Sequence, residues 1–433
     1  MAFYGKTLRR LLRLSVSVLF LAACSAGGGT VTDSGTGAGN GTGTGGGVRP
    51  GDGVSYTQEE MSARIRGVDA SMVQFTEKHG GIYKYADGTP GDFFRICKAY
   101  GVNWARFRLW VDPHTFAAAE GPANNYARYP QGLCDLETVQ ALARRAEAAG
   151  LRWLLDFHYS DTWTHPGQQI VPASWSGIAA GEPMAEKIAS YTTEVLQELK
   201  SAGLVPDMVQ VGNEVNSGMC VGTTSDRTNL QMYLEAGCRA VKEFDSGIRV
   251  MIHIARGGDA SLQNFFSAGS GGYGNSWYDV IGLSWYPWYT DHGTIRELGE
   301  NIRYFAASGK EVVVAETSWP WTNGWKDWTD NVCGASPADA AGAYQQDAAD
   351  NLQYPGIVMD GGIPAASPAG QRSVVEAVME VTRVNGGWGV FYWGGEWIAY
   401  GAATPPPDGS TWENQALFDF DGRPLDVLNA FSR

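Results

Sequence analysis

Two glutamates hold the chemical content of this chain. Glu214 follows the apolar run Met208–Val211 in the string Gly212-Asn213-Glu214, and Glu316 follows Glu311–Ala315 in the string Glu316-Thr317-Ser318-Trp319. A carboxyl pair about 5–5.5 Å apart can hydrolyse a glycoside with retention: one group is protonated to serve the leaving oxygen, the other ionised to attack the anomeric carbon. The surroundings of such a pair must split its two pKa values. Asn213 suits a hydrogen bond to a sugar 2-hydroxyl, and Arg106 and Tyr286 are residue types that hold Glu316 ionised and oriented. A single glutamate at either place would read equally well as half of a structural ion pair. Asn-Glu at one place with Glu at the other favours catalysis.

Such residues need a scaffold that brings strand ends together. Eight short apolar runs recur: Ile65–Val68, Val102–Leu109, Leu151–Phe157, Met208–Val211, Arg249–Ile254, Val280–Ser284, Glu311–Ala315 and Gly389–Trp393. Between them lie amphipathic stretches such as Asp135–Ala149 and Ser190–Ala202, with apolar residues three and four apart. Asp135 is an expected N-cap, and Gly150 and Gly203 are expected helix stops. Eight strands alternating with helices predict an α/β fold, a single (β/α)8 TIM barrel with a long loop after strand seven, rather than an open doubly wound sheet. No Gly-x-Gly-x-x-Gly follows the first strand, which argues against dinucleotide binding. Barrel chemistry sits at the C-terminal strand ends. Polar and aromatic residues gather there: Arg106 to Trp110, Asp156 to Trp163, Asn213-Glu214, His253, Ser284 to Trp288, Glu316 to Trp319 and Tyr392-Trp393.

The chain has 433 residues, of which 44% are hydrophobic and 18% charged, enough apolar surface for one large core. With 46 acidic against 32 basic residues the net charge is −14, which excludes a general basic field for nucleic acid or an anionic membrane. The 16 Trp and 19 Tyr supply flat surface on which sugars can stack, with about half expected in the core.

Residues 1–23 are basic, then apolar, and end in Leu21-Ala22-Ala23 before Cys24, the order of a secretory signal. That box resembles a bacterial lipoprotein signal. It implies lipidation of Cys24, and Ser25 beside it suggests the outer membrane. Residues 24–55 are Gly-, Ser- and Thr-rich and read as a flexible tether, leaving 56–433 as the catalytic domain. The membrane is therefore expected as a partner only through the lipid, and the protein is expected to work as a monomer. Of the other cysteines, Cys97 and Cys238 fall in helical segments and read as small buried residues. Cys134 is unassigned, and Cys220 and Cys333 fall in loops where a bridge is conceivable.

The segments VNWARFRLWVDP (102–113), LLDFHYSDTWTHPGQQ (154–169), QVGNEVNSGM (210–219), IGLSWYPWY (281–289), VVVAETSWPWT (312–322) and GVFYWGGEWI (389–398) resemble glycoside hydrolase family 53. These are endo-β-1,4-galactanases within a large clan of retaining (β/α)8 glycosidases, acting on the galactan side chains of pectin. The resemblance runs from about residue 60 to the end. It implies Glu214 as acid/base and Glu316 as nucleophile, with Arg106, His158, Asn213, Tyr286 and Trp393 lining the central subsite. Asp161 and Trp163 fall where the family's cleft continues. No cofactor is required.

Some positions depart from the family pattern. Tyr392-Trp393 is followed by Gly394-Gly395-Glu396-Trp397, and Ala255-Arg256 stands where an acidic residue is common. The calcium-binding string of some bacterial relatives is absent. Asp327, Asp330 and Asn331 offer only a loose oxygen set for calcium in the long loop, where solvated side chains are the simpler reading. Trp319, Trp321, Trp325 and Trp328 in that loop suggest a cleft wall, with Trp319 expected to pack on the barrel. Two other readings share much of this sequence. One is a different endo-glycanase of the same clan; the other is a non-catalytic glycan-binding lipoprotein, which would normally have lost one of the two glutamates.

Overall fold

Eight strands form in the expected places: β1 (Ile65–Asp69), β2 (Trp104–Leu109), β3 (Arg152–Phe157), β4 (Met208–Val211), β5 (Arg249–Ile254), β6 (Val280–Ser284), β7 (Glu311–Thr317) and β8 (Gly389–Tyr392). They pair in parallel and in sequence order, and β1 also pairs with β8, so the sheet closes into a barrel. The computed structural model describes residues 64–114, 133–266, 277–327, 331, 364–401 and 409–432. The secretory segment 1–23, Cys24, the tether 24–55, Trp328, Asp330, Cys333 and most of the long loop after β7 lie outside the described residues. Among the described residues no helix is long and apolar enough to cross a membrane.

Among the described residues the helices of six residues or more are α1 (Val73–Lys78), α2 (Phe93–Ala99), α3 (Leu136–Ala148), α4 (Glu182–Ser201), α5 (Leu230–Phe244), α6 (Ile295–Ala307) and α7 (Pro368–Val384). Asp135 caps α3 by accepting from Thr138 N, and Gly150, at φ 76°, ends it in a conformation open to glycine. Helix α4 starts earlier than the expected Ser190. Met184, Ala185 and Ile188 extend its buried stripe, and Pro183 lies in its first turn, where a missing N–H costs nothing.

Side chains alternate across a strand, so every second residue faces the barrel axis. Ile65, Trp104, Leu154, Met208, Met251, Val280, Val313, Ala315 and Phe391 form one buried apolar cluster that plugs the barrel. Gly67 leaves room for the Phe391 ring, since a Cβ there would lie 2.1 Å from it. The opposite strand faces and the helices bury a larger second cluster, including Phe107, Trp153, Val211, Ile252 and Val314. Two residues beyond the plug, on the same inward side, stand Arg106, Asp156, Gln210 and His253, none of them exposed. The floor of the site is thus a polar layer resting on an apolar one.

The four cysteines among the described residues are free thiols. Cys97 in α2 and Cys238 in α5 are buried, as expected, and Cys134 is buried too. Cys220 is a free buried thiol whose Sγ donates to Tyr159 O at 3.6 Å, and Cys333, the conceivable partner, lies outside the described residues.

Candidate active site

Arg106 organises the site. Its guanidinium donates from Nε to Gln210 Oε1 (3.1 Å), from Nη1 to Asp69 Oδ2 (2.9 Å) and from Nη2 to Asn213 Oδ1 (2.9 Å), and it pairs as an ion with Glu316 Oε1 (3.0 Å) and Asp156 Oδ2 (2.8 Å). A cation so buried is tolerable only because three carboxylates lie against it and two amide oxygens accept from it.

Glu316 reaches Arg106 because β7 carries a bulge. Leu283 pairs with Val314, but Ser284 pairs with Glu316, so Ala315 is skipped. Successive residues in a regular strand face opposite sides; the extra residue lets both Ala315 and Glu316 face inward. Tyr286 OH donates to Glu316 Oε2 at 2.7 Å, leaving a carboxylate gripped at both oxygens and 7% exposed.

Glu214 is held differently. It follows β4 in a turn where Gly212 has φ 77° and Glu214 itself has φ 48°, a left-handed conformation that a non-glycine residue adopts at a cost. A Cβ on Gly212 would lie 2.6 Å from Val215 Cγ1, so this turn needs glycine for space as well as for φ. Among the described residues no lysine, arginine or histidine forms an ion pair with Glu214. Burial, then the Glu316 charge, pushes its carboxyl up to about 8, against weaker opposing pulls from Ser284, Arg106 and Arg256. Burial raises Glu316 as well, but Arg106 and Tyr286 draw it back. The two environments therefore favour a protonated Glu214 opposite an ionised Glu316.

The remaining expected residues divide between wall and support. Trp393, 8% exposed, meets Trp163, Trp412 and Tyr286 edge-on with centroids 6.1, 5.1 and 6.4 Å away. Trp163 is half-buried, and one face is covered by the Arg108 guanidinium at 3.9 Å, a cation–π contact that fixes the indole. Asn213 Oδ1 is occupied by Arg106, and its Nδ2 donates one hydrogen to Thr164 O at 2.8 Å, leaving a second. His158 is 2% exposed. Its Nδ1 accepts from Thr164 N at 3.0 Å, so its proton sits on Nε2 facing Asp156 Oδ2 at 3.2 Å. Burial lowers the His158 pKa against the pull of Asp156, keeping the ring neutral. Asp161, 2% exposed, accepts from Asp112 N at 2.9 Å and Ala173 N at 2.7 Å. His158 and Asp161 thus brace the loops behind the cleft.

In the loop after β7, Trp319 packs on the barrel, 1% exposed and 6.3 Å from Trp288. Trp321 turns away to the C-terminal segment, donating to Glu413 O at 3.1 Å with its ring 4.6 Å from Phe420. Asp327 is buried and accepts from Ser410 N at 2.7 Å, and Asn331 donates to Gly324 O. Among the described residues no three His, Cys, Asp or Glu side chains gather as a metal site, and Asp330 of the loose oxygen set lies outside the described residues.

Several supporting residues went without a role in the sequence reading: Asp69, Asp156, Gln210, His253, Ser284 and Arg108. Strand parity was the available signal, because Arg106, Asp156, Gln210 and His253 each lie two positions after a plug residue. Glu396, at one of the departures, is fully buried; it accepts from Met72 N, and burial, then Asp69, raises its carboxyl well above the usual range.

A closed parallel barrel with an acid and a carboxylate at the ends of β4 and β7, walled by indoles, has the build of a glycoside hydrolase. The profile of Glycosyl hydrolase family 53 matches residues 65–431. The endo-β-1,4-galactanase of Bacillus subtilis strain 168 is 32% identical over 400 residues, covering 85% of this chain and 85% of that protein. The arabinogalactan endo-β-1,4-galactanase of Thermothelomyces thermophilus is 31% identical, covering 85% and 98%. The solved GH53 catalytic domain of Ignisphaera aggregans superposes with a TM-score of 0.71 at 33% identity, covering 86% of this chain and 96% of that one. The chain belongs to glycosyl hydrolase family 53.

Proposed function

We propose that this glycoside hydrolase is an endo-β-1,4-galactanase acting with retention on the galactan side chains of pectin. Glu214 serves as acid/base and Glu316 as nucleophile. The observation that carries the reading is the unequal treatment of the two carboxyls. Arg106 and Tyr286 bind both oxygens of Glu316, while Glu214 has no cationic partner among the described residues and is pushed up to about 8 by burial and the Glu316 charge. In the first half-reaction Glu316 attacks the anomeric carbon as Glu214 gives its proton to the departing oxygen. In the second, the Glu214 carboxylate takes a proton from water, which attacks the same carbon and releases Glu316.

Family membership and the galactanase names of relatives on both sides of the bacterial–fungal divide support the substrate. Galactan side chains are uncharged, which suits a chain of net charge −14 beside an acidic pectin backbone. Proton NMR of the first product from β-1,4-galactan tests the mechanism: the β-anomer is expected, and an α-anomer appearing first would refute double displacement. Xylan, mannan and cellulose run in parallel test the substrate. The N-terminal box at Cys24 supports a lipid-anchored, exported protein with the barrel held off the membrane by the Gly-rich tether.

A further inference from the structure

A tyrosine exposed singly on a surface is ordinary and calls for no function. Tyr289, in the loop after β6, differs because of what lies beside it. It is 44% exposed, and its ring stands edge-on to Tyr286 with centroids 5.9 Å apart. Tyr286 is the residue that donates to Glu316. The His292 ring lies 5.2 Å from Tyr289 and the Trp288 ring 6.0 Å. His292 is itself fixed: its Nδ1 accepts from Tyr286 N at 3.1 Å, and its carbonyl accepts from Gly258 N at 2.9 Å. A Cβ on Gly258 would lie 2.5 Å from that carbonyl, so the two loops meet backbone to backbone. Tyr289 is thus an exposed ring on a rigid seat at the edge of the site.

The same edge adjoins Glu214. Asn216, two residues further on and buried, donates to Ala255 O at 3.0 Å and accepts from Ala255 N at 2.6 Å. Gly257 N donates to Ser284 O at 2.8 Å. These bonds join the loops after β4, β5 and β6 into one wall. Arg256 stands on it in a left-handed conformation, φ 62°. Its Nε meets Asp291 Oδ2 at 2.8 Å, with both side chains partly exposed. A left-handed arginine is strained, and an exposed ion pair does little to offset that. Strain that stability does not explain gathers where ligands bind.

We propose that Tyr289, with the Arg256–Asp291 pair beside it, forms the subsite for the sugar on the leaving side of the bond being cut. This rests on the reading of Glu214 as the acid/base and deepens it. An acid that protonates the leaving oxygen has the leaving sugar beside it, on the wall of β4 to β6. Trp393, with Trp163 and Trp412 around it, belongs to a different wall. In β-1,4-galactan the leaving oxygen is the axial O4, so the chain turns at each link and successive sugars need separate platforms. The axial hydroxyl also leaves the C–H groups of C3, C4 and C5 together on one face, an apolar patch that suits a phenol ring. Arg256 and Asp291 supply a donor and an acceptor for the hydroxyls around it. After the first half-reaction an acceptor sugar in this subsite can replace water. Its hydroxyl gives the proton to the Glu214 carboxylate, its oxygen bonds the anomeric carbon, and the bond to Glu316 breaks to restore that carboxylate. The enzyme then transfers as well as hydrolyses.

Two measurements test the subsite. Tyr289→Ala removes an exposed ring, and Arg256→Gly suits the left-handed backbone, so neither change disturbs the core. In the first, kcat/KM is compared on β-1,4-galactan and on galactobiosyl β-fluoride, whose leaving fluoride needs no sugar subsite. The loss in Tyr289→Ala should be roughly tenfold greater on galactan than on the fluoride, the worth of one stacked ring. Equal losses on the two substrates would mark Tyr289 as a structural residue and overturn the proposal. The second does not depend on galactan. Galactobiosyl, xylobiosyl and cellobiosyl β-fluorides are each supplied with the matching disaccharide as acceptor, and products are sorted by mass spectrometry. With whichever donor is turned over, the ratio of transfer to hydrolysis should fall roughly tenfold in Tyr289→Ala and several-fold in Arg256→Gly. An unchanged ratio in either variant, or a wild type that only hydrolyses, overturns the proposal. A wild type that leaves galactan intact yet shows this fall with another donor refutes the galactan reading and still supports the subsite.

Discussion

Removing the Tyr286 hydroxyl should make Glu316 a weaker acid and narrow the active pH range from below. The hydroxyl donates to Glu316 Oε2 at 2.7 Å in a pocket where that carboxylate is 7% exposed. Burial, then the Glu316 charge, holds the Tyr286 pKa well above its ordinary value, so the group remains a donor throughout the working range. A hydrogen bond to a charged group contributes about 1.5–3 kcal/mol. One pKa unit is about 1.4 kcal/mol, so losing a bond made to the ionised form raises Glu316 by about one to two units. Arg106 still binds Oε1 at 3.0 Å in Tyr286→Phe, and the ring keeps its places 5.2 Å from Trp288 and 6.4 Å from Trp393. The cleft wall survives while the hydrogen bond does not. Initial rates on soluble galactan across pH should show the acid limb of kcat/KM displaced upward by that amount, with the alkaline limb little changed. An acid limb that stays put, or moves down, would refute the assignment of Glu316 as the group that must be ionised.

Three further outcomes are expected. For the wild type, kcat/KM should fall above about pH 8, where Glu214 loses its proton; Glu214→Gln should abolish that limb and spare activity only on aryl galactosides whose leaving group needs no acid, measured by chromophore release. Asp161→Ala strips two backbone amides of their acceptor and should cost about 2 kcal/mol of stability, seen in chemical unfolding, with KM unchanged. A raised KM at unaltered stability would restore Asp161 to the substrate cleft. Cys24→Ala should move the protein from the membrane to the soluble fraction without altering turnover, and retention in the membrane fraction would rule out the lipid as anchor.

The strands were legible because each is a short buried run whose parity and length survive any tertiary detail, and all eight lie within two residues of their expected bounds. Glu214 and Glu316 were legible for a related reason: strand ends in a closed barrel converge, so proximity follows from topology. The bulge at Ala315 was not. Without it the alternation of β7 would point Glu316 away from Arg106, and nothing in Val-Val-Val-Ala-Glu announces a skipped residue. His158 and Asp161 sat in one of the segments that resemble the family, and their polar atoms bond Thr164, Asp156 and backbone amides. A motif records what a site requires, and bracing a loop is as much a requirement as touching a sugar. The start of α4 was missed because its first two turns carry only Met184, Ala185 and Ile188 as apolar markers.

The buried ions around Arg106 have a consequence for the course of the reaction. Asp69, Asp156 and Glu316 carry negative charge against Arg106 and Arg108, so the cluster holds one surplus negative charge while Glu214 and Glu396 are protonated and His158 and His253 neutral. In the proposed mechanism Glu214 becomes a carboxylate in the same event that makes Glu316 an ester. The surplus is unchanged in size and has only moved from the end of β7 to the end of β4. An interior of low polarisability strongly resists a change in its total charge, and much less a displacement within a fixed total. The covalent step is therefore isoelectric for the protein, with Arg106 as the fixed pole about which the charge shifts. A sugar bearing its own carboxylate at that point would break the constancy by adding a second negative charge to the cluster. Under the proposed function, the ion pattern that suits neutral galactose would by the same electrostatics turn galacturonate away.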